Sequence, residues 1–329
     1  MRVTDMRVLI TGAGGFVAPY AAQAFAARRP GAVIVGASHK GGPQPGFADT
    51  LALDVADADA IRAALEAARP THVLHLAGVA APQQATADPQ AAWRVNTLGA
   101  LALGREIART LPDCILLNAG SGSAYGDTAN LGAPLREDAA FAPSDEYGAT
   151  KAAADLGLGA MVKRGLRLVR LRPFNHTGPG QGADYVAPAF AEQIAAIEAG
   201  RRDPLLKVGN LDAERDFCDV RDVADGYALA ALAASEGRLP PGRALNLCSG
   251  RPVKMRALLD MLLSISGVAA RVEQDPARMR ASDIPRMVGD PARAEAELGW
   301  RAAIPLQTTL ADVLDDKRRA LAAERVARS

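Results

Sequence analysis

Short, unbroken apolar runs alternate with Ala-rich helical stretches through the first half of the chain. Val8-Leu9-Ile10 predicts a strand, and 19–29 a helix. Further strands are predicted at 32–35, 51–53, 72–76, 114–117 and 166–171. Helices are predicted at 58–68, ending at Arg69-Pro70, over 89–110 as one long segment, and at about 144–163. Strands alternating with helices imply a parallel sheet covered on both faces. Apolar runs without alternation fit strands buried on both sides. The pattern loosens after Pro173. A Gly/Pro-rich loop is expected over 174–188, a helix at 188–199, a strand at 205–208 with a turn at Gly209-Asn210, and a helix at 222–234. The strand at 244–248 is expected to return to the sheet. A helix at 254–265, a strand at 270–273 and a helix at 308–324 complete a smaller lobe. The fold class is therefore α/β, a doubly wound parallel sheet with a smaller C-terminal α/β lobe. The division is expected at 1–173 and 174–329, with segments near 216–249 returning to the first unit.

Composition narrows the function classes. A chain of 329 residues has room for about two domains. With 49% hydrophobic and 23% charged residues it has the makings of a packed core. The 38 Lys and Arg against 37 Asp and Glu leave a net charge of +1, which argues against a nucleic-acid partner. Cys114, Cys218 and Cys248 cannot all pair and show no metal-ligand spacing, so a reducing compartment and no metal are expected. The apolar runs are far short of the ~20 residues that span a bilayer, and no secretory segment of ~7–15 apolar residues follows Arg2, Asp5 and Arg7. A cytoplasmic protein with no membrane partner is expected.

Candidate chemistry begins at Thr11-Gly12-Ala13-Gly14-Gly15-Phe16-Val17-Ala18, between the first strand and the first helix. Gly12 permits a tight turn, Gly15 lets backbone approach a pyrophosphate, and Ala18 is small where helix and strand pack closely. The helix N-terminus adds free N–H groups and a positive dipole. This is the context a dinucleotide turn needs, with an ordinary glycine-rich strand–helix turn as the alternative. The acid that commonly holds the ribose 2′-hydroxyl is missing, since the second strand runs into Gly36-Ala37-Ser38-His39-Lys40. A hydroxyl and two basic groups suit a 2′-phosphate, which favours NADP(H) and leaves NAD(H) open. Asp54-Val55 follows the third strand, where Asp54 is suited to the adenine amino group or to a turn or helix cap.

Tyr147 and Lys151 lie four apart on one helix, hence on one face, and Ser121 follows the fifth strand. The set suits carbonyl reduction. A free phenol with pKa ~10 is a poor acid–base group at neutral pH, and a nearby ammonium is expected to bring it into range. Ser121 is suited to hold the carbonyl oxygen beside the phenol. His72 and His75 stand three apart on a strand and face opposite sides, with no third ligand in view. Core packing is the expectation for all three cysteines.

TGAGGFVA at 11–18, HLAG at 75–78, Asn96 in NTLG, SGSAYG at 121–126, YGATK at 147–151 and RPFN at 172–175 resemble the extended short-chain dehydrogenase/reductase family over nearly the whole chain. The resemblance implies that Asn96 supports the catalytic helix and that Lys151 also holds the nicotinamide ribose. It implies that the C-terminal lobe binds a nucleotide sugar, and that a homodimer forms through a four-helix bundle of the long helices near 90–110 and 145–163. The cofactor set expected on this basis is Gly12, Gly14, Gly15, Phe16 and Val17; Ser38, His39, Lys40, Asp54 and Val55; Leu76, Ala77, Gly78 and Asn96; and Tyr147, Lys151, Pro173 and His176.

Three reactions of this family compete. Sugar dehydratases usually carry Glu two residues after the Ser/Thr, in some cases preceded by Asp. Here Gly122 and Ser123 stand there, and neither can abstract a carbon-bound proton. Epimerases need no such acid and stay open. Arg172 to Gln181, Val208-Gly209-Asn210 with Glu214-Arg215-Asp216-Phe217, and Gln274 to Arg280 resemble the GDP-6-deoxy-4-keto-D-mannose reductases, which form GDP-D-rhamnose. The resemblance implies a GDP-linked 4-keto-6-deoxy sugar as substrate, bound by Ser121, Ser123, Asn175, Arg215, Arg280 and Asp283. Arg215 and Arg280 would pair with the diphosphate, and Asp283 would hold a hydroxyl or orient Arg280. The bland readings are a cap or loop role for Asn175 and solvated positions for the arginines. His176 lies beside the nicotinamide or satisfies loop backbone. The rivals are a 4-epimerase with tightly bound NAD and, in another class, a non-catalytic dinucleotide-sensing or RNA-binding relative of the fold.

Overall fold

The structure, a computed structural model, describes residues 6–279 and 284–328. β1 (Arg7–Thr11) turns into α1 (Ala18–Arg28), followed by β2 (Val33–Ser38), β3 (Asp49–Ala52), α2 (Ala58–Ala68) and β4 (His72–His75). After α3 (Pro82–Ala87), a long helix runs through α4 (Pro89–Ala92), a π-helical stretch (Trp93–Gly99) and α5 (Ala100–Thr110). β5 (Ile115–Ala119), α6 (Glu146–Met161) and β6 (Arg167–Pro173) complete the alternation. Next come β7 (Asn175–Thr177), α7 (Val186–Glu198), β8 (Leu205–Val208), β9 (Glu214–Asp219), α8 (Val220–Ser235) and β10 (Arg243–Leu247). The chain ends with β11 (Pro252–Lys254), α9 (Met255–Ser266), β12 (Arg271–Gln274), β13 (Arg286–Met287), α10 (Ala292–Leu298) and α11 (Leu306–Arg328).

Seven strands form one sheet in the order β10-β6-β5-β4-β1-β2-β3. Every pair in it is parallel. This is the doubly wound Rossmann-type arrangement, in which strand order reverses between β1 and β4 and a crevice opens at their carboxyl ends. β4 and β5 are buried at every position, because helices cover both faces. One core cluster packs β1 and β5 against α1 and α8; another packs the opposite face against α2, α5 and α6. Local signals agree with this layout. Asp57 caps α2 by accepting from Asp59 and Ala60 N–H groups, and Arg69 ends it in a left-handed conformation before Pro70.

In the C-terminal part, β9 lies antiparallel to β11 and parallel to β13 and β7. β8 pairs with β12, and α7, α9 and α11 enclose a separate apolar cluster. Four sequence expectations are corrected here. Residues 174–188 are not all loop, since β7 forms within them, and β9 was not predicted at all. β7 has three residues, too few to show a period, and it exists through its register with Phe217–Asp219. β9 reads as a charged segment, yet Asp216 is fully buried because Ser249 N–H, Ser249 hydroxyl, Gly250 N–H and Gly289 N–H all donate to it. The segment 89–110 is not a uniform helix but carries the π-helical stretch. α3 and α10 appear where no helix was expected.

His72 and His75 fill opposite sides of β4. His72 contacts Thr71 and, through Nε2, the Ser235 hydroxyl; His75 contacts Thr11 Oγ1 at 2.8 Å. Burial lowers His72 to about 4 and His75 to about 3, with Arg167 and Lys151 respectively adding to the effect. The unfolded chain takes up a proton at each ring below about pH 6.5, while the folded chain resists. Stability is therefore full above that pH and falls by about 1 kcal/mol per pH unit for each histidine as pH drops toward the folded values. Urea denaturation at pH 7.5 and pH 5 is expected to show this loss, and His75→Asn should show a visibly smaller one. An unchanged pH dependence in that variant would contradict the account.

Candidate active site

A cavity of about 1020 Å³ runs along the carboxyl ends of the sheet strands. Its floor is the turn after β1. Gly12 has φ +73°, and a Cβ there would lie 2.8 Å from the Ala77 nitrogen, so only glycine lets this turn meet the segment after β4. No side chain caps the N-terminus of α1 beside it. Gly12, Gly14, Gly15, Phe16 and Val17 line the cavity, as do Leu76, Ala77 and Gly78. Tight glycine backbone and uncapped helix N–H groups fit a pyrophosphate, so these residues suit a dinucleotide.

At the far end of this floor Ser38, His39, Asp54 and Val55 line the cavity. His39 Nδ1 lies 3.6 Å from Asp54 Oδ2, and Asp54 Oδ1 accepts from Ala56 N–H at 2.9 Å. Lys40 is a correction. It is exposed and off the cavity wall, because Gly41 N–H closes a turn onto Ser38 O and carries residue 40 outward.

Ser121, Tyr147 and Lys151 share the middle of the cavity. Ser121 caps a short 3-10 turn beyond β5, its hydroxyl accepting from Ser123 N–H at 3.1 Å. Asp145 caps α6 through Gly148 N–H at 2.6 Å, which starts the helix just before Tyr147. Lys151 Nζ donates to Ala119 O at 3.1 Å and lies 6.0 Å from the Tyr147 ring centroid. Burial lowers Lys151 to about 8. The expected lowering of the phenol is corrected. Burial pushes Tyr147 up to about 12, against a hydrogen bond with Ser121 that favours ionisation, while Tyr185 and Asp145 reinforce the rise. Desolvation dominates the shift, and the Lys151 ammonium donates to Ala119 O.

Two sets of bonds fix α6. Asn96 accepts from Val79 N–H at 2.7 Å and donates to Val79 O and to Thr150 Oγ1. Thr97, its neighbour in the π-helical stretch, donates to Thr150 O at 2.9 Å. Asn96 is therefore behind the cavity rather than on its wall, which corrects its inclusion among cofactor contacts. One turn beyond Lys151, buried Asp155 receives Arg172 through both carboxylate oxygens, at 2.9 and 3.0 Å, and Arg170 at 2.8 Å. Arg172 also donates to the Tyr125 hydroxyl and Glu137 O. Removing one member of such a buried set typically costs about 3–5 kcal/mol, because the remaining charges lose their partner.

On the other side, Ser123, Pro173, Asn175, His176 and Arg215 line the same cavity. His176 Nδ1 donates to Phe174 O at 2.9 Å, and its ring stacks on Phe16 with centroids 6.3 Å apart. Burial lowers its pKa, so the ring is neutral with Nε2 as acceptor. Arg215 donates to Glu214 O and Ile284 O, holding its guanidinium beside the cavity. Arg280 and Asp283 lie outside the described residues. Sequence reasoning missed Gln84, Tyr185, Asn210 and Arg278 on the wall. Tyr185 stands at the N-terminal boundary of α7 without a capping side-chain bond, and a lone aromatic after Gly182-Ala183-Asp184 carries no spacing signal.

The sheet topology and the cavity at its switch point define a Rossmann-type nucleotide-binding α/β protein. Residues 8–248 match the NAD dependent epimerase/dehydratase family, and the chain belongs to it. It is similar to GDP-6-deoxy-D-mannose reductase of Pseudomonas aeruginosa, 34% identical over 314 residues that cover 94% of this chain and 96% of that protein. It is also similar to UDP-glucose 4-epimerase of Azospirillum brasilense, 30% identical over 89% of this chain and 86% of that one. Among solved structures, RMD from Pseudomonas aeruginosa complexed with NADPH matches with a TM-score of 0.82 at 30% identity, covering 96% of this chain and 100% of that chain. Among the described residues, no helix is long and apolar enough to cross a membrane.

Proposed function

We propose that this chain is a cytoplasmic NAD(P)H-dependent reductase of the C4 ketone of GDP-4-keto-6-deoxy-D-mannose, giving GDP-D-rhamnose. The carrying observation is the meeting of Ser121, Tyr147 and Lys151 in one cavity, in a chain 34% identical over nearly its full length to a GDP-6-deoxy-D-mannose reductase. The first 173 residues with the returning β10 hold the dinucleotide, and the remainder chiefly binds the nucleotide sugar. The turn at Gly12–Val17 takes the pyrophosphate, and Ser38, His39, Asp54 and Val55 take the adenosine end. Lys151 holds the nicotinamide ribose, with His176 and Pro173 beside the ring. A reduced nicotinamide supplies hydride to the carbonyl carbon when bound. Ser121 donates a hydrogen bond to the carbonyl oxygen, and Tyr147 gives that oxygen its proton. A phenol raised to about 12 remains protonated at neutral pH, which is the state an acid needs. Ser123 contacts the substrate, and Asn175 and Arg215 hold the sugar diphosphate. NADP(H) is favoured by the absence of an acid after β2, with NAD(H) also accommodated.

A 4-epimerase is the second reading, supported by the similarity to UDP-glucose 4-epimerase. It differs in retaining its cofactor through the cycle with no net consumption. Tyr147→Phe separates a catalytic from a structural role. We expect turnover to fall about a hundred- to ten-thousand-fold while NADPH affinity changes less than twofold. Unchanged turnover would remove Tyr147 from the mechanism.

A homodimer through the long helices is part of the same proposal. Leu98 and Leu156 are large apolar side chains left 60% exposed on those two helices. Sedimentation is expected to give a dimer for the native chain and a monomer for the double variant Leu98→Asp, Leu156→Asp. A monomeric native chain at micromolar concentration would contradict this.

A further inference from the structure

The terminal helix α11 grips a loop of the cavity wall. Its apolar face, with Leu310, Val313 and Leu314, is buried in the cluster it shares with α7 and α9. Thr309, Asp312 and Asp316 recur at three- and four-residue spacing and form a polar stripe, with Lys317 beside it. The Thr309 hydroxyl donates to Asp219 at 2.7 Å and Asp312 accepts from Arg221 at 2.7 Å, which fixes the helix against the end of β9. One turn further, the stripe meets the loop after β7. Asp316 Oδ2 accepts from Gly180 N–H at 3.0 Å, and Lys317 Nζ donates to Gln181 O at 2.7 Å. The Lys317 side chain is only 14% exposed. From the other side Tyr20 of α1 donates to Pro179 O at 2.8 Å.

Residues 178–182 form no helix or strand, and Gly180 sits at φ +86°. The shape of this loop therefore depends on these few bonds. Gln181 lines the cavity, and its Nε2 donates to His176 O at 3.1 Å. The His176 ring lies nearly parallel to Phe16, at an interplanar angle of 8°. A continuous path thus runs from Lys317 through Gln181 and His176 to Phe16 in the glycine turn. We infer that Lys317 is a positioning residue for the cofactor. Through Gln181 it holds the His176–Phe16 ring pair at the nicotinamide end of the cavity. Lys317 itself is off the cavity wall. The adenosine end, at Ser38, His39, Asp54 and Val55, has no part in this path.

The inference rests on the reading that the cavity holds a nicotinamide dinucleotide, but it does not depend on the sugar substrate. It is tested by calorimetric binding to the full chain and its variants. The ligands are the tighter of NADPH and NADH, and its adenosine fragment, 2′,5′-ADP or 5′-ADP. Lys317→Met keeps the length of the side chain and removes the donor. It is expected to weaken the dinucleotide about tenfold, as loss of one charge-assisted hydrogen bond predicts, and to change the fragment less than about twofold. Lys317→Arg still donates and is expected to bring the dinucleotide within about threefold of native. In a Gln181→Leu background, Lys317→Met is expected to add less than about twofold, because the path is already broken. Equal weakening of dinucleotide and fragment would mark a merely structural role and overturn the inference. Unchanged dinucleotide affinity, failure of Lys317→Arg to restore it, or full additivity with Gln181→Leu would do so too. A native chain that binds neither ligand would sink the cofactor reading itself, and the inference with it. A chain that passes this test yet leaves a 4-keto sugar unreduced would fail the catalytic reading alone.

Discussion

The grip on Thr150 fixes the helix face on which the proposed chemistry depends. Its hydroxyl accepts from Asn96 and donates to Tyr147 O, while its own carbonyl accepts from Thr97. Thr150 is fully buried, so each of these groups would lose a bond without a water replacement if the helix shifted. Asp155 holds the same helix from the next turn through Arg170 and Arg172. Lys151 falls between these two anchors, and Tyr147 lies just before them with its carbonyl bonded to the Thr150 hydroxyl. Asn96 further ties the helix to Val79, beyond the segment whose Ala77 closes on Gly12. The glycine turn, the strand ends and α6 thus form one connected frame.

Within that frame desolvation governs the charges. It lowers Lys151 to about 8 and raises Tyr147 to about 12, keeping the phenol protonated and the amine near its titration point. His75, beside Lys151, is held neutral for the same reason. A neutral phenol facing Ser121 supports proton donation to a carbonyl oxygen, the direction that reduction requires. Abstraction of a carbon-bound proton finds no suitable group at Gly122 or Ser123.

Much of the frame was legible because its signals are local. Apolar runs marked the buried strands of the parallel sheet, and Gly12 announced a turn that no other residue tolerates. A four-residue spacing put Tyr147 and Lys151 on one helical face. What was illegible depends on contacts distant in the chain. β7 becomes a strand through β9, and β9 tolerates buried Asp216 through donors at residues 249, 250 and 289. The phenol's raised pKa depends on enclosure, which a sequence spacing does not report. Lys40 looked suitable by type and is turned away by one backbone bond.

The central claim is that net reduction of a GDP-linked 4-keto sugar occurs in this cavity. The most direct measurement supplies freshly made GDP-4-keto-6-deoxy-D-mannose with NADPH or NADH, follows loss of the reduced nicotinamide absorbance, and identifies the product by NMR. The account predicts stoichiometric consumption of the reduced cofactor and GDP-D-rhamnose as product. No consumption, with NAD carried through purification and UDP-hexoses interconverted, would contradict it and identify an epimerase.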